Sequence, residues 1–466
     1  MVKINPTIFK AYDIRGLVGE ELNEEVALLL GKGFGTYLHE RGTKDVIVAR
    51  DTRETSKSYQ ENVVAGLLST GCNVYDMGVA LTSNVYFARQ YYKIDGAVVV
   101  TASHSPATYN GFKLCHGFNT ISGEEIQKVR KIIEVGKFEE DSPGEVKQLS
   151  EAINKYYDEI RKRLPLKKKL KIVVDYGNGT PSLFVTKMLK DYGCEVVTLF
   201  DEIDPNFPNH IPDPVHVEAY NELIKTAKKE KADVGVMFDG DGDRAGFVDV
   251  NGDIWPGDMI IILLAKYYLP KFPGSKVIVE LKNTEAVYDE VERLGGKPIF
   301  WKTGHSFLDE KVYEEKAILC GENSCHYWIT PNWYFFDDAI FAMANVLKVV
   351  SESEKSFSEL MAEIPKYPST PEYRVAVPAD KQKDIVEKAV SYFKEKCDHY
   401  LDIDGIRGYK DDGWFLIRSS NTQPLISVRV EAETEEGLEK LKKFVKEGLD
   451  KIPDVNLDWS RQYDVT

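Results

Sequence analysis

The chain has 466 residues, too many for one ordinary core, and reads as about three or four domains. Its 60 basic and 75 acidic side chains leave a net charge of −15, which disfavours nucleic acid or an anionic membrane as its partner. Anionic small molecules stay open, because local cationic loops override net charge.

Residues 1–16 lack the apolar core of a signal peptide, and the longest apolar run, Met259–Ala265, is far short of a membrane span. The six cysteines form no Cys-x-x-Cys pair and read as free thiols of a reducing compartment, so a cytoplasmic protein is expected. Cys320, Cys325 and His326 do not have the usual spacing of zinc ligands. Monomer and dimer are both left open.

In chain order, Asn23 caps a helix whose apolar face is Val26, Leu29, Leu30, Phe34, Tyr37 and Leu38. Lys44–Arg50 reads as a strand, Asn62–Leu68 as part of a second helix, and Cys72–Asp76 and Ala97–Val100 as further strands. This is an α/β layout with buried, largely parallel strands. The pattern restarts with strands at Lys171–Asp175, Val196–Leu199 and Val234–Phe238, and again at Val277–Glu280, Pro298–Trp301 and Ala317–Cys320. A lysine-rich stretch, Arg161–Lys171, separates the first two units. Beyond about Pro368, strands at Tyr373–Val377, Trp414–Ile417 and Ser427–Glu433 with helices near 380–396 and 434–449 suggest a smaller α+β unit. The expected domains are 1–150, 151–254, 255–367 and 368–466.

Four polar loops follow directly on apolar strands, where α/β sheets place ligands: Thr101–Pro106, Asp239–Arg244, Lys302–Ser306 and Gly321–His326. A fifth, Arg418–Pro424, falls in the last unit. At least one such loop in every domain suggests the walls of a single cleft. Asp239, Asp241 and Asp243 alternate with two glycines, so their carboxylates can converge on one hard cation; the spacing does not fit an EF-hand. Ser103 stands at a strand exit beside His104, with Lys113 further on, and is readable as a nucleophile or as part of a small-residue turn. Arg418 with Ser420, Asn421 and Thr422 suits phosphate oxygens, or forms a polar hairpin turn. Glu322 and Ser324 offer a carboxylate and a hydroxyl for adjacent sugar hydroxyls, or a solvated loop. Lys302 and His305 add a cation and an imidazole. Gly31-x-Gly33-x-Gly35 lies within a helical pattern, so it does not read as a dinucleotide fingerprint.

Taken together, these five loops, the opening Phe9–Gly16, and Asn206–His210 with Pro212 and Pro214 resemble the α-D-phosphohexomutase family, most nearly its phosphomannomutase/phosphoglucomutase group, over essentially the whole chain. The resemblance implies three similar α/β domains and a C-terminal α+β domain like the TATA-box-binding-protein fold, around a central cleft. It implies a hexose 1-phosphate/6-phosphate mutase that works through phosphoserine at Ser103 and a hexose 1,6-bisphosphate intermediate and activator. Asp239, Asp241, Asp243 and a phosphoserine oxygen would hold Mg2+, and Arg244 would lean on the same phosphoryl group. Tyr12, Arg15, His104 and Lys113 would line the first-domain wall, His104 and Lys113 near the proton transfers, while Lys302 and His305 face the sugar. Glu322 and Ser324 would bind ring hydroxyls, and Arg418, Ser420, Asn421 and Thr422 the phosphate that does not react. Ser105 and Gln423 stand where the family usually has asparagine and glutamate, and Asn323 and Cys325 where the group has methionine and glycine. Those departures leave glucosamine or pentose phosphates open as substrates. Outside the family, a Mg2+-dependent sugar phosphatase or a non-catalytic sensor would use the same loops.

Overall fold

A computed structural model describes residues 4–420 and 424–460. The first three units repeat one sheet plan. In the first, Asn73–Val79, Asp45–Arg50 and Gly96–Val100 run parallel, and Tyr109–His116 returns antiparallel beside Gly96–Val100. In the second, Glu195–Leu199, Lys171–Asp175 and Val234–Phe238 are parallel and Ala245–Val248 returns. In the third, Lys297–Trp301, Lys276–Glu280 and Leu319–Gly321 are parallel and Tyr327–Ile329 returns. The first sheet also gains the antiparallel edge strand Ile14–Leu17 and the parallel Val146–Gln148.

Alternate residues show why the parallel strands read as continuous apolar runs. Val46, Val48, Val98 and Val100 pack under the helices Glu24–His39, Ser56–Ser69 and Glu124–Val135. Ile47, Ala49, Ala97 and Val99 point the other way, into a core that continues through all three sheets. A side-chain period of two then needs apolar residues at every position, because both faces are covered. The apolar run Met259–Ala265 lies in the helix Gly257–Tyr268 and is buried throughout. No helix among the described residues is long and apolar enough to cross a membrane.

The glycine series in the first helix is a packing device. A Cβ on Gly31 would sit 2.3 Å from the Val63 carbonyl oxygen, and one on Gly66 2.4 Å from that of Leu28, so two helices touch backbone to backbone. Asn23 caps the first of them, its side chain accepting from the Val26 amide.

The fourth unit is an antiparallel sheet ordered Tyr373–Ala376, Leu425–Ala432, Gly413–Ser419, Ile406–Lys410, His399–Leu401, packed on the helices Gln382–Lys394 and Glu435–Leu449. Arg407 docks it on the third. This fully buried guanidinium donates to the carbonyls of Leu281 (2.6 Å) and Asn283 (3.0 Å) and lies 3.5 Å from the Trp414 ring centre.

Two expected positions shift. Arg418 belongs to the strand Gly413–Ser419 rather than to a loop, because strand pairing continues to Ser419↔Ile426. The third-unit strand is Leu319–Gly321, so the Gly321–His326 loop is the link of a hairpin. The return strands Ile14–Leu17 and Tyr109–His116, which carry Arg15 and Lys113, were not anticipated.

Candidate active site

The shared sheet plan places three loops in equivalent positions, each between the third parallel strand and its antiparallel return. These are the Ser103 loop, the Asp239–Arg244 loop and the Glu322–His326 loop. Gly240 lets the first two meet, since a Cβ there would lie 2.5 Å from the Ser103 carbonyl oxygen. Gly240→Ala is therefore expected to push these loops apart and lower kcat about a hundredfold, the usual cost of a displacement near 1 Å. Circular dichroism should remain native; unchanged steady-state kinetics would refute the close approach.

Asp239, Asp241 and Asp243 are almost completely buried, with oxygens within 4.8 Å of one another. Asp239 Oδ1 accepts from the Asp243 amide (3.0 Å) and the Arg244 amide (3.1 Å), which curls the loop around it. Thr82, across the domain border, donates to Asp241 Oδ2 at 2.6 Å, and the Lys113 ammonium reaches Asp241 Oδ2 (2.9 Å) and Asp243 Oδ2. Asp241 Oδ1 and Asp243 Oδ1 are buried without a hydrogen-bond partner. Orphaned carboxylate oxygens in a cluster of three are suited to a hard cation with oxygen ligands, so the residues fit a metal. Burial, then the charges of Asp243 and Asp241, push the Asp239 carboxyl well above its ordinary range. At Asp243 burial acts the same way, but the Lys113 ammonium and the Arg244 guanidinium outweigh it and hold the carboxyl low.

Ser103 sits against this cluster, 3% exposed, its Oγ donating to Asp239 Oδ2 at 2.7 Å and lying 3.0 Å from His104 Nδ1. Burial, then Arg244, depress the His104 pKa well below 6.5, so this ring is neutral at physiological pH. Ser103 has φ +51°, a left-handed backbone that non-glycine residues hold only when their surroundings impose it. Arg53 supplies that constraint. Its guanidinium donates to the carbonyls of Ser103 (2.8 Å), Ser105 (2.5 Å), Pro106 (2.9 Å) and Tyr109 (3.0 Å), with Asp51 alongside at 3.3 Å.

Tyr12, Arg15, Ser103, Lys113, Arg244 and His305 line one narrow cavity of about 40 Å³, together with His326 and Asp243. Arg15 is tied to the serine loop through Ser105 Oγ (2.7 Å) and to Asp13 (2.6 Å), so serine at 105 serves as its acceptor. Arg244 donates Nε–H to His326 Nε2 (2.9 Å) and approaches Asp213 at 3.3 Å. His326 Nδ1 and His305 Nε2 each lie 2.8 Å from a different oxygen of Asp337. A larger cavity of about 280 Å³, at the joint of the third and fourth units, is lined by none of the expected site residues.

Glu322 is buried, and Ser324 Oγ donates to its Oε2 at 3.2 Å. Cys325 has φ +72°, which gives the glycine typical of the group a backbone reason; cysteine keeps the turn at a cost of about 1 kcal/mol. Its amide donates to the Glu322 carbonyl (3.0 Å), and its own carbonyl accepts from Ala245 (3.2 Å), binding the loop to the end of the carboxylate loop. Asn323 turns its amide to Asp258 Oδ2 at 3.2 Å. Lys302 is not among the cavity residues; its ammonium lies 3.7 Å from the Phe307 ring centre. Arg418 is 4% exposed, pairs through Nε with Asp404 (2.8 Å) and keeps Nη2 buried without a hydrogen-bond partner, a donor free to meet an anion. The Ser420 amide donates to the Leu425 carbonyl at 3.0 Å. Asn421, Thr422 and Gln423 lie outside the described residues.

Arg53, Thr82, Asp213 and Asp337 escaped the sequence reading, and His326 appeared there only as a loop end and a discounted zinc ligand. Only His326 carries a local signal, ending a polar loop that follows a strand.

A serine against three buried carboxylates, ringed by guanidinium, ammonium and imidazole groups on a thrice-repeated α/β sheet, defines a phosphoryl-transfer enzyme. Family models described as phosphoglucomutase/phosphomannomutase alpha/beta/alpha domains I, II and III match residues 6–140, 146–252 and 256–367, and the model of the C-terminal domain matches 372–448. The chain belongs to the phosphoglucomutase/phosphomannomutase family. It is 36% identical to the phosphomannomutase/phosphoglucomutase of Pseudomonas aeruginosa over 95% of both chains. It is likewise 36% identical to a phosphoglucomutase of Neisseria gonorrhoeae, covering 97% of this chain and 99% of that one. A crystal structure of a phosphoglucomutase/phosphomannomutase family protein from Burkholderia thailandensis superposes with a TM-score of 0.93 at 36% identity, covering 98% and 100% of the chains.

Proposed function

We propose that this chain interconverts hexose 1-phosphates and hexose 6-phosphates, of mannose and glucose, in the cytoplasm, through phosphoserine at Ser103 and a hexose 1,6-bisphosphate. The observation that carries the reading is Ser103 Oγ, 2.7 Å from a carboxylate of a triad whose other members hold orphaned oxygens. Asp239, Asp241, Asp243 and a phosphoserine oxygen would hold Mg2+, which supplies charge stabilisation on the transferring oxygens. Domain limits near 150, 254 and 367 accord with this division of labour.

In the forward step the bond from Ser103 Oγ to phosphorus breaks as the free sugar hydroxyl bonds to that phosphorus, and the proton this hydroxyl loses ends on Ser103 Oγ. Lys113 and Arg244 face the developing charge. The neutral His104 ring, 3.0 Å from Ser103 Oγ, is placed to take up that proton and pass it to the serine as it is released, and to accept the serine's proton as it is rephosphorylated. The bisphosphate then turns end for end and returns its other phosphoryl group to Ser103. Arg418 Nη2 must hold whichever phosphate is not reacting, and Glu322 with Ser324 must accept two orientations of the ring. Closure of the fourth unit over the cleft would exclude water, which otherwise hydrolyses the phosphoserine.

If Glu322 and Ser324 grip the 3- and 4-hydroxyls, the 2-hydroxyl, where glucose and mannose differ, is left unread. Both 1-phosphates should then be used within about tenfold in kcat/KM, a difference of about 1.4 kcal/mol. Glu322→Gln should weaken both together. The test is a coupled mutase assay with mannose, glucose, glucosamine and ribose 1-phosphates and a bisphosphate activator. A preference above about a thousandfold for one epimer, for glucosamine or for ribose would contradict dual specificity, and phosphate release without isomerisation would favour a phosphatase.

A further inference from the structure

We infer that Asp337 is the positioning residue of this site: one buried carboxylate that clamps His305 and His326 and, through His326, orients Arg244 of the second unit. The inference rests on the mutase reading only for its kinetic test.

The residue is held rigidly. Asp337 is fully buried, its backbone bridges to Trp328, and the next residue, Asp338, caps the helix Ala339–Glu352. Its Oδ1 meets His305 Nε2 and its Oδ2 meets His326 Nδ1, both at 2.8 Å. A carboxylate only accepts, so both of these nitrogens carry protons. His326 Nε2 receives the Arg244 Nε–H at 2.9 Å and must present a lone pair. His326 is therefore neutral, with its proton on Nδ1, in an ordered series from the Asp337 carboxylate to the Arg244 guanidinium. The same three donors are near enough to share a metal ion, but both protonated nitrogens already face the carboxylate.

His305 is held differently. Around it stand Asp337, Asp309 (Nδ1 to Oδ2 3.7 Å), the Lys113 ammonium, and the rings of Tyr86, His326 and Trp328. Burial alone would lower its pKa; the two carboxylates outweigh burial and Lys113 and lift it to about 10. Asp337, with Asp309 beside it, thus maintains an imidazolium at His305 and also fixes a neutral imidazole at His326, both lining the cavity that holds Ser103. Such outer partners fix tautomer and ring orientation in the way they do behind metal-bound histidines.

The test is Asp337→Asn, which keeps the shape and removes the charge. Ring-nitrogen NMR should show the His305 midpoint falling from about 10 towards the ordinary 6.5. Since His305 would then lose its proton in the neutral range, the ratio of variant to wild-type kcat/KM should be at least tenfold higher at pH 6 than at pH 8.5. An unmoved His305 titration, or a loss equal at every pH as general loosening would give, overturns the inference. Should the variant not fold, the wild-type spectrum at pH 8 decides. A doubly protonated His305 with His326 protonated on Nδ1 supports the clamp; a neutral His305, or His326 protonated on Nε2, refutes it. The spectra need no turnover, so failure of the mutase assay would be seen separately.

Discussion

Replacing Ser103 by alanine is expected to lower the mutase rate by several orders of magnitude while leaving a folded protein. Among the described residues the hydroxyl hydrogen-bonds only to Asp239 and His104, and the backbone position is imposed from outside by Arg53. Loss of one buried hydrogen bond of this kind costs about 1 kcal/mol of stability, too little to unfold a chain of this size. Intact-protein mass spectrometry should find one phosphate on the wild-type chain and none on the variant. An active, unphosphorylated Ser103→Ala protein would sink the covalent mechanism. A variant that unfolds would instead show the hydroxyl to be structural, contrary to its few contacts.

Asp241→Ala is expected to abolish turnover and weaken Mg2+ binding by at least about a hundredfold, because it removes one of two orphaned oxygens. The metal-free protein should melt near the wild-type temperature. The variant loses acceptors for Thr82 and Lys113, yet it also relieves repulsion among three buried carboxylates. Exhaustive chelation of wild type should reproduce the loss, and added Mg2+ should restore wild type alone; calorimetric titration would measure the affinity. Activity that survives chelation would remove the metal from the reaction. The Lys113 ammonium makes this test sharper. Lying against Asp241 and Asp243, it neutralises part of the cluster without metal, so removing one carboxylate leaves the loop close to charge balance.

The order of the elements and the candidate chemistry of the loops are legible in local patterns. Buried parallel strands announce themselves as apolar runs because both faces are covered, and Lys171–Asp175 and Val234–Phe238 fell where expected. The Asp-Gly-Asp-Gly-Asp motif, the strand-exit serine and Arg418 were legible as candidates because each is a local pattern. Arg53, Thr82, Asp213 and Asp337 were not, because each acts on partners far along the chain. Arg53 reaches a carbonyl 52 residues away, and Thr82 a carboxylate 159 residues away. A single arginine or aspartate between ordinary neighbours carries no periodicity to mark it. The return strands that bring Arg15 and Lys113 to the cleft were likewise hidden, since Ile14–Leu17 and Tyr109–His116 are strands by virtue of pairing with each other and with Gly96–Val100. Which side chains converge is decided by the sheet plan repeated three times, which sets three loops distant in sequence at equivalent places around one cleft; only packing of the whole chain brings about that arrangement.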